Sequence, residues 1–100
     1  RLLLHDAIGA SWREAQESGY IGVEGRRDLR LASTFAARSS VQAVDLMYHL
    51  GGGTSVYRTS PLQRIFRDAH VACQHMMIAP PTMELAGRLF LGQDAELSTL

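Results

Sequence analysis

The chain has 100 residues, 46% hydrophobic and 20% charged, and its ten basic and ten acidic residues give a net charge of zero. A chain of this length supports one core, and its dispersed arginines exclude the basic stripe of a nucleic-acid-binding domain. Because the single cysteine excludes an internal disulfide and no apolar run reaches the roughly 18 residues of a membrane span, we expect a cytoplasmic protein without membrane or nucleic-acid partners.

The first predicted element is a helix over residues 2–18. Its apolar face is formed by residues at spacings of three and four: Leu4, Ala7, Ile8, Ser11, Trp12 and Ala15. Gly19 ends it. No capping residue precedes this helix, which is typical of a chain that starts inside an element. We therefore expect residues 1–100 to be one domain of a longer protein.

A longer helix is predicted from Val23 to Leu50. Apolar residues occur on more than one of its sides, which predicts burial between neighbouring helices. The arginines at its start, Arg26, Arg27 and Arg30, are interpreted as a solvated face. Three glycines at 51–53 end the helix and open a loop to Thr59.

The strongest local signal is the start of a third helix at Ser60. A hydroxyl at the N-cap, Pro61 at the first helical position and Gln63 three residues after the cap predict a capping box. This helix should end before Pro80. A fourth helix is predicted from Thr82 to Phe90, followed by a tail at 93–100 that we expect to be loose or partner-dependent.

No alternating segment predicts a strand, so the fold class is all-α. The expected architecture is an antiparallel helical bundle of four or more helices. Sequence outside these residues, or another subunit, would complete it.

The chemistry-bearing residues, taken alone, are weak signals. A helix rather than a strand precedes the glycines, which favours a plain turn over a phosphate-binding loop. His70 and His75 lie about 140° apart on one helix, too far round for a shared zinc ion, and each is more often a hydrogen-bonded bystander. Cys73 and the methionines are interpreted as core-filling residues.

The segment from Gly52 to Gly92 is more specific as a combination. It carries a paired glycine, Pro-Leu-Gln-Arg at 61–64, Arg-Asp-Ala-His at 67–70 and a second histidine at 75. This order resembles the C-terminal helical domain of the acyl-CoA dehydrogenase fold, and the resemblance extends upstream through both long helices. In that fold, N-terminal helical and middle β domains precede this one and carry most flavin contacts.

The residue at position 76 separates branches of this fold. One dehydrogenase subgroup places a glutamate, as proton acceptor, nine residues beyond the match to Arg67, where this chain has Met76. A thioether does not accept a proton at neutral pH. The chain resembles instead the two-component monooxygenases, which hydroxylate phenols, indole-3-acetate, steroid aromatic rings or dibenzothiophene-type sulfides. They commonly carry a histidine at the position of His75.

The resemblance implies that a separate reductase supplies reduced FMN or FAD and that one oxygen atom is transferred to an apolar, aromatic substrate. His75 would remove a proton from a substrate hydroxyl or hydrogen-bond to the activated oxygen. Gly52 and Gly53 would approach the flavin of a neighbouring subunit, which implies a homo-oligomer, expected to be a tetramer.

Three further residues match patterned positions of the fold. Arg64 is a cofactor-binding candidate, and with Arg67 and Asp68 it is expected to anchor the bundle through charge pairs. Two alternatives stay open for the protein as a whole. One is an acyl-CoA dehydrogenase with its base on another helix, and the other is a non-catalytic helical assembly module.

Overall fold

A computed structural model describes all 100 residues and contains only helices. In chain order these are α1 (Leu2–Ser18), α2 (Val23–Leu50), a short 3-10 helix (Gly52–Val56), α3 (Pro61–Ala72) and α4 (Pro81–Phe90). The all-α prediction is confirmed, as are the bounds of the two long helices. The segment after α2 was expected to be a loop, but much of it is the 3-10 helix.

Helices α1 and α2 form an antiparallel hairpin with a four-residue connection. Gly19 adopts a left-handed conformation, φ 78°, and its N–H donates to the carbonyl of Ala15 at 2.9 Å, which ends α1. The Glu14 carboxylate then accepts the backbone N–H of Gly22, the N-cap residue of α2, at 3.0 Å. A side chain of α1 therefore supplies the cap that α2 lacks in its own sequence.

Helix α2 is the central element, against which the other three helices pack. Tyr48 on α2 and Phe66 on α3 stack with ring centroids 4.5 Å apart. Near the other end of α2, the Arg27 guanidinium lies 3.9 Å from the centre of the Phe90 ring on α4. Helices α3 and α4 thus follow each other along α2, and the 73–80 segment joins them.

The start of α3 is as predicted, although only half of the capping box forms. The Ser60 hydroxyl accepts the backbone N–H of Leu62 at 3.3 Å, and Pro61 occupies the first helical position. The Ser60 N–H donates to the Tyr57 carbonyl at 2.9 Å and not to the Gln63 side chain. At α4, the helix begins at Pro81, one residue earlier than predicted.

The fold is elongated and its interior is small. Its extents are 51 × 27 × 18 Å and its radius of gyration is 16.8 Å, against about 13 Å for a compact domain of this length. Ala32 and Ala86 are the only apolar residues that are fully buried. The stripes predicted to face inward are therefore only partly covered, as the large exposed fractions of Ile8, Trp12 and Leu50 show.

None of the helices combines the length and apolar composition that crossing a membrane requires.

Candidate functional site

The segment between α3 and α4 holds His75 in a series of tight turns. The N–H of His75 donates to the carbonyl of Ala72 at 3.1 Å, and the His75 carbonyl accepts the N–H of Ile78 at 2.9 Å. Helix α3 ends at Ala72. The prediction that His70 and His75 share one helix is therefore wrong, because the chain leaves the helix between them. Pro80 does not account for this end, since it lies eight residues further on.

His75 is exposed, and one of its two ring nitrogens is occupied. Nδ1 accepts the backbone N–H of Met77 at 3.2 Å. Because Nδ1 must carry a lone pair for this bond, the neutral ring carries its proton on Nε2. Nε2 has no hydrogen-bond partner in the chain. The structure therefore presents His75 to an incoming group as an N–H donor.

The side chain of Met77 connects this segment to α2. Its sulfur accepts Nη1 of Arg30 at 2.6 Å, while its backbone N–H reaches His75. Arg30 is 8% exposed, and its Nε is buried without a partner. Burial lowers the pKa of Arg30, because the charged form loses solvation and no carboxylate replaces it.

The arginines at the start of α2 were predicted to form a solvated face, and this prediction is wrong. Arg26 is partly buried, and its Nε is shielded from solvent. Arg30 is buried at the contact with α4 and the 73–80 segment, and Arg27 packs on Phe90. A hydrogen bond to Asp28, 2.8 Å long, raises the pKa of Arg27. The sequence analysis assigned these positions to solvent because the side chains are charged. Long arginine side chains also cover apolar surface with their methylene groups.

The surroundings of His70 agree with the sequence-based interpretation, whereas those of Cys73 do not. His70 Nε2 lies 2.8 Å from Asp45 Oδ1, and its ring packs 4.5 Å from Phe66. This pair joins α3 to α2, so His70 is hydrogen-bonded, as predicted. Cys73 is a free cysteine that is only partly buried, not the buried residue that was expected.

The three glycines after α2 are in three different situations. A Cβ on Gly51 would overlap Ser55 Oγ and lie 2.8 Å from Leu62 Cδ1. Gly52 has φ +55°, which disfavours other residues, and a Cβ on Gly53 would meet nothing within 4 Å. Gly52 and Gly53 therefore present bare backbone at the surface, while Gly51 is required by the packing of this chain.

Arg64 lies in the first turn of α3 with its side chain 80% exposed, and its Nε is 3.4 Å from Asp68 Oδ2. Arg67 Nε is 4.0 Å from Oδ1 of the same carboxylate. Both pairs lie within one helix, so they do not anchor the bundle as expected. Exposed pairs of this kind contribute about 0.2–1 kcal/mol.

The candidate residues do not form one cluster. The glycine loop lies before the start of α3 and His75 lies beyond its end, and the 12 residues of α3 separate these two by about 18 Å at 1.5 Å per residue. Arg64 lies in the first turn of α3, at the end nearer the glycine loop. Sequence reasoning missed Glu14, Arg30 and Gly51. The presence of a glycine at position 25, inside α2, was the sequence signal for the close approach of Glu14. A Cβ at Gly25 would lie 2.6 Å from Glu14 Oε2.

Helix order and the motif at 61–75 define the class of this domain, an all-helical domain of the acyl-CoA dehydrogenase type. The family model described as "Acyl-CoA dehydrogenase, C-terminal domain" matches residues 1–80. The chain belongs to this family.

The relatives with curated names are monooxygenases and hydroxylases. An indole-3-acetate monooxygenase from Pseudomonas putida is 32% identical over 93 residues, covering 93% of this chain and 24% of the relative. One of the same name from Acinetobacter baumannii is 32% identical over 81 residues, covering 81% and 21%. A pigment production hydroxylase from Rhodococcus erythropolis is 31% identical over 90 residues, covering 89% and 23%. The chain thus spans about a quarter of the length of these relatives.

Proposed function

We propose that this chain is the C-terminal helical domain of a two-component, flavin-dependent monooxygenase. The whole protein would use reduced FMN or FAD from a separate reductase, together with oxygen, to hydroxylate a small aromatic substrate. Membership of the acyl-CoA dehydrogenase family supports the proposed fold of the whole protein. Three relatives named monooxygenase or hydroxylase support its assignment to the monooxygenase branch of that family. N-terminal helical and β domains would precede residues 1–100.

The observation that carries the proposal is the pair of residues at 75 and 76. Met76 stands where one dehydrogenase subgroup has its proton-accepting glutamate, and a thioether cannot take that role. The adjacent His75 is exposed and has a free Nε2. This position favours chemistry that needs a hydrogen-bond donor over proton abstraction next to a thioester.

The residues of this chain fit a flavin at two separate places. The surface backbone of Gly52 and Gly53 permits close approach, because no side chain of this chain would meet a Cβ on Gly53. The exposed imidazole of His75 offers one N–H at the other end of α3. A bound reduced flavin supplies the activation of oxygen.

The separation of these places supports a homo-oligomer, for which we propose a tetramer. If His75 faces the active site of its own subunit, the glycine loop about 18 Å away is free to contact the flavin of a neighbour. Arg64 lies on the same end of α3 as this loop, and its exposed guanidinium suits a phosphate of that cofactor.

His75 then acts on oxygen through Nε2–H. Because the N–H of Met77 occupies Nδ1, the ring orientation is held and the proton is kept on the outward nitrogen. The alternative role of His75, removal of a proton from a substrate hydroxyl, would require Nε2 to be unprotonated. The observed hydrogen bond favours the donor role.

Assays on the full-length protein test the proposed function. With reduced flavin, ¹⁸O₂ and an aromatic substrate, we expect one labelled oxygen atom in the product. Bleaching of the oxidised flavin by an acyl-CoA under anaerobic conditions, without labelled product, would instead establish a dehydrogenase. Absence of both, with no flavin bound, would leave the assembly module as the function.

Two substitutions of His75 separate its roles. His75→Ala should lower product formation by roughly 10²-fold or more while flavin binding stays nearly unchanged. His75→Gln places an amide N–H near the position of Nε2, so it should restore part of the activity if the residue is a donor and none if it is a base. His5→Gln, at an exposed position on α1, is the control. Full activity of His75→Ala would remove His75 from the mechanism.

A further inference from the structure

Arg30 makes a single side-chain hydrogen bond, although it is a buried arginine. It lies on α2 and is 8% exposed, and its Nη1 donates to the sulfur of Met77 at 2.6 Å. Its Nε is buried without a partner, and no carboxylate oxygen lies within 4.0 Å of the guanidinium. A thioether is a weak, uncharged acceptor, so this chain does not compensate the lost solvation of the cation. Stability alone therefore does not account for an arginine at this position.

The contact between Arg30 and Met77 is the only hydrogen bond that joins the 73–80 segment to α1 or α2. The backbone hydrogen bonds of this segment are local. For example, the N–H groups of His75 and Ile78 each donate to a carbonyl three residues earlier. Such turns shape the segment but do not fix its position on α2, whereas the bond from Arg30 does.

Met77 contacts both Arg30 and His75. While its sulfur accepts the guanidinium, its backbone N–H donates to Nδ1 of His75 at 3.2 Å. This second bond keeps the proton of the neutral imidazole on Nε2. Because the donor is a backbone group, the direction of the bond is set by where Met77 is held. The orientation of His75 therefore depends on the contact that holds the Met77 side chain.

We propose that Arg30 is a positioning residue for His75 and that it acts through Met77. The guanidinium holds the thioether, the thioether fixes the 73–80 segment against α2, and the Met77 N–H orients the imidazole. Arg30 performs this role without touching substrate or flavin, from a position 47 residues before Met77 in the sequence. The role rests on the proposed monooxygenase function, in which His75 is the hydrogen-bond donor.

Two substitutions of Met77 separate hydrogen bonding from packing. Met77→Leu removes the acceptor and keeps an apolar side chain of similar size, whereas Met77→Gln supplies an amide oxygen that accepts from Arg30. The side chain at position 77 is 41% exposed, so an amide is tolerated there. In the full-length protein, Met77→Leu should lower the product formed per oxygen consumed about fivefold, with hydrogen peroxide released instead. Met77→Gln should keep most of it.

The opposite order would overturn the inference. If Met77 only packs, leucine should behave like methionine and the polar glutamine should be the impaired variant. Met47→Leu, which exchanges an exposed methionine on α2, is the control and should leave the ratio of product to oxygen unchanged.

A His75→Ala background tests whether the effect depends on His75. An effect that acts through the imidazole disappears when the imidazole is absent, so Met77→Leu should cause no further loss of product there. For the same reason Arg30→Met, which removes the donor, should add nothing to Met77→Leu. A further fivefold loss in the His75→Ala background would show an independent role for Met77 and would overturn the inference.

Hydrogen exchange measured by mass spectrometry tests the first step without turnover. Peptides that cover residues 73–80 should lose protection about fivefold in Met77→Leu and keep it in Met77→Gln. Unchanged protection in Met77→Leu would show that Arg30 does not hold this segment, and the inference would fail. If the unaltered protein forms no labelled product, the proposed function fails, while exchange still decides whether Arg30 holds the segment that carries His75. The two proposals therefore fail separately.

Discussion

The consecutive glycines at 51–53 show how neighbouring positions of the same residue type acquire different roles. Gly51 is packed against Ser55 and Leu62, Gly52 has a positive φ, and Gly53 has open space around it. In the sequence the three residues are equivalent, because each looks like a helix end. Only the path of the 3-10 helix that follows distinguishes them.

Substitutions at the first and third glycines should therefore affect different properties. Gly51→Ala should destabilise the fold by about 1–3 kcal/mol through overpacking, whereas Gly53→Ala should change stability by less than about 0.5 kcal/mol. Thermal unfolding of the full-length protein measures both. Equal losses of stability would contradict the packing seen around Gly51.

A bulkier side chain at Gly53 tests the contact with a neighbouring flavin. A Cβ at Gly53 has no atom of this chain within 4 Å, so we expect a loss of flavin affinity or of assembly in Gly53→Val to come from a group outside the chain. We expect such a loss in a flavin titration and in light scattering coupled to size exclusion. If both measurements match those of the unaltered protein, the loop is structural only.

The roles of individual residues were harder to predict from the sequence than the helices or the overall architecture. The sequence alone showed Met76 in place of a glutamate and His75 at its distance from Arg67. The hydrogen bond that assigns the proton of His75 to Nε2 depends on a turn that the sequence did not indicate. Arg30 was assigned to solvent because it carries a charge. Its burial follows from the packing of α4 and the 73–80 segment, two elements that are distant in sequence.

Elements were predicted well where local chemistry decides them. The bounds of α1 and α2 follow from apolar periodicity and from glycines that end helices, and the start of α3 follows from Ser60 and Pro61. The end of α3 was missed, because no glycine or proline marks Ala72. The start of α2 depends on a cap from the preceding helix, the Glu14 carboxylate. The helix propensities of the residues in α2 do not describe this cap.

This cap is testable with two glutamates of the same helix. Glu14→Ala should loosen the first turn of α2 by about 1 kcal/mol, since it removes both the acceptor for Gly22 and a negative charge at a helix N-terminus. Glu17→Ala, at an exposed position one turn later, is the control and should have little effect.

Hydrogen exchange measured by mass spectrometry reports the change locally. Peptides that cover residues 19–27 should lose protection by roughly fivefold in Glu14→Ala, the factor that corresponds to about 1 kcal/mol. Unchanged protection would show that Gly22 is capped equally well by water.

The whole molecule exposes more surface than its mass requires. Its accessible area is 7252 Å², whereas a compact monomer of 11.0 kDa exposes about 5,600 Å². The excess, about 1,600 Å², is roughly twice the 800 Å² or so that one partner contributes to a standard protein–protein interface. This comparison agrees with the sequence-based expectation that the bundle is completed from outside these residues.

The apolar part of this surface includes a groove between α1 and α2. The groove has a volume of about 380 Å³ and is lined by Ile8, Trp12, Ala15 and Leu29, among others. Trp12 is 65% exposed although it lies on the stripe predicted to face inward. Because the sequence places an apolar stripe here and α2 covers only one edge of it, we expect another part of the full-length protein, or another subunit, to cover Trp12.

Hydroxyl-radical footprinting measures this coverage directly. In the 100-residue chain by itself, with its helix content checked by circular dichroism, Trp12 should be oxidised several-fold faster than in the full-length protein, because only the latter can bury the indole. Trp12→Glu in the full-length protein should lower its melting temperature or its assembled mass, whereas Arg13→Glu, at the exposed neighbouring position, should not. Equal oxidation rates in the two proteins would mean that the stripe stays open to solvent, and the excess surface would then need an explanation other than assembly.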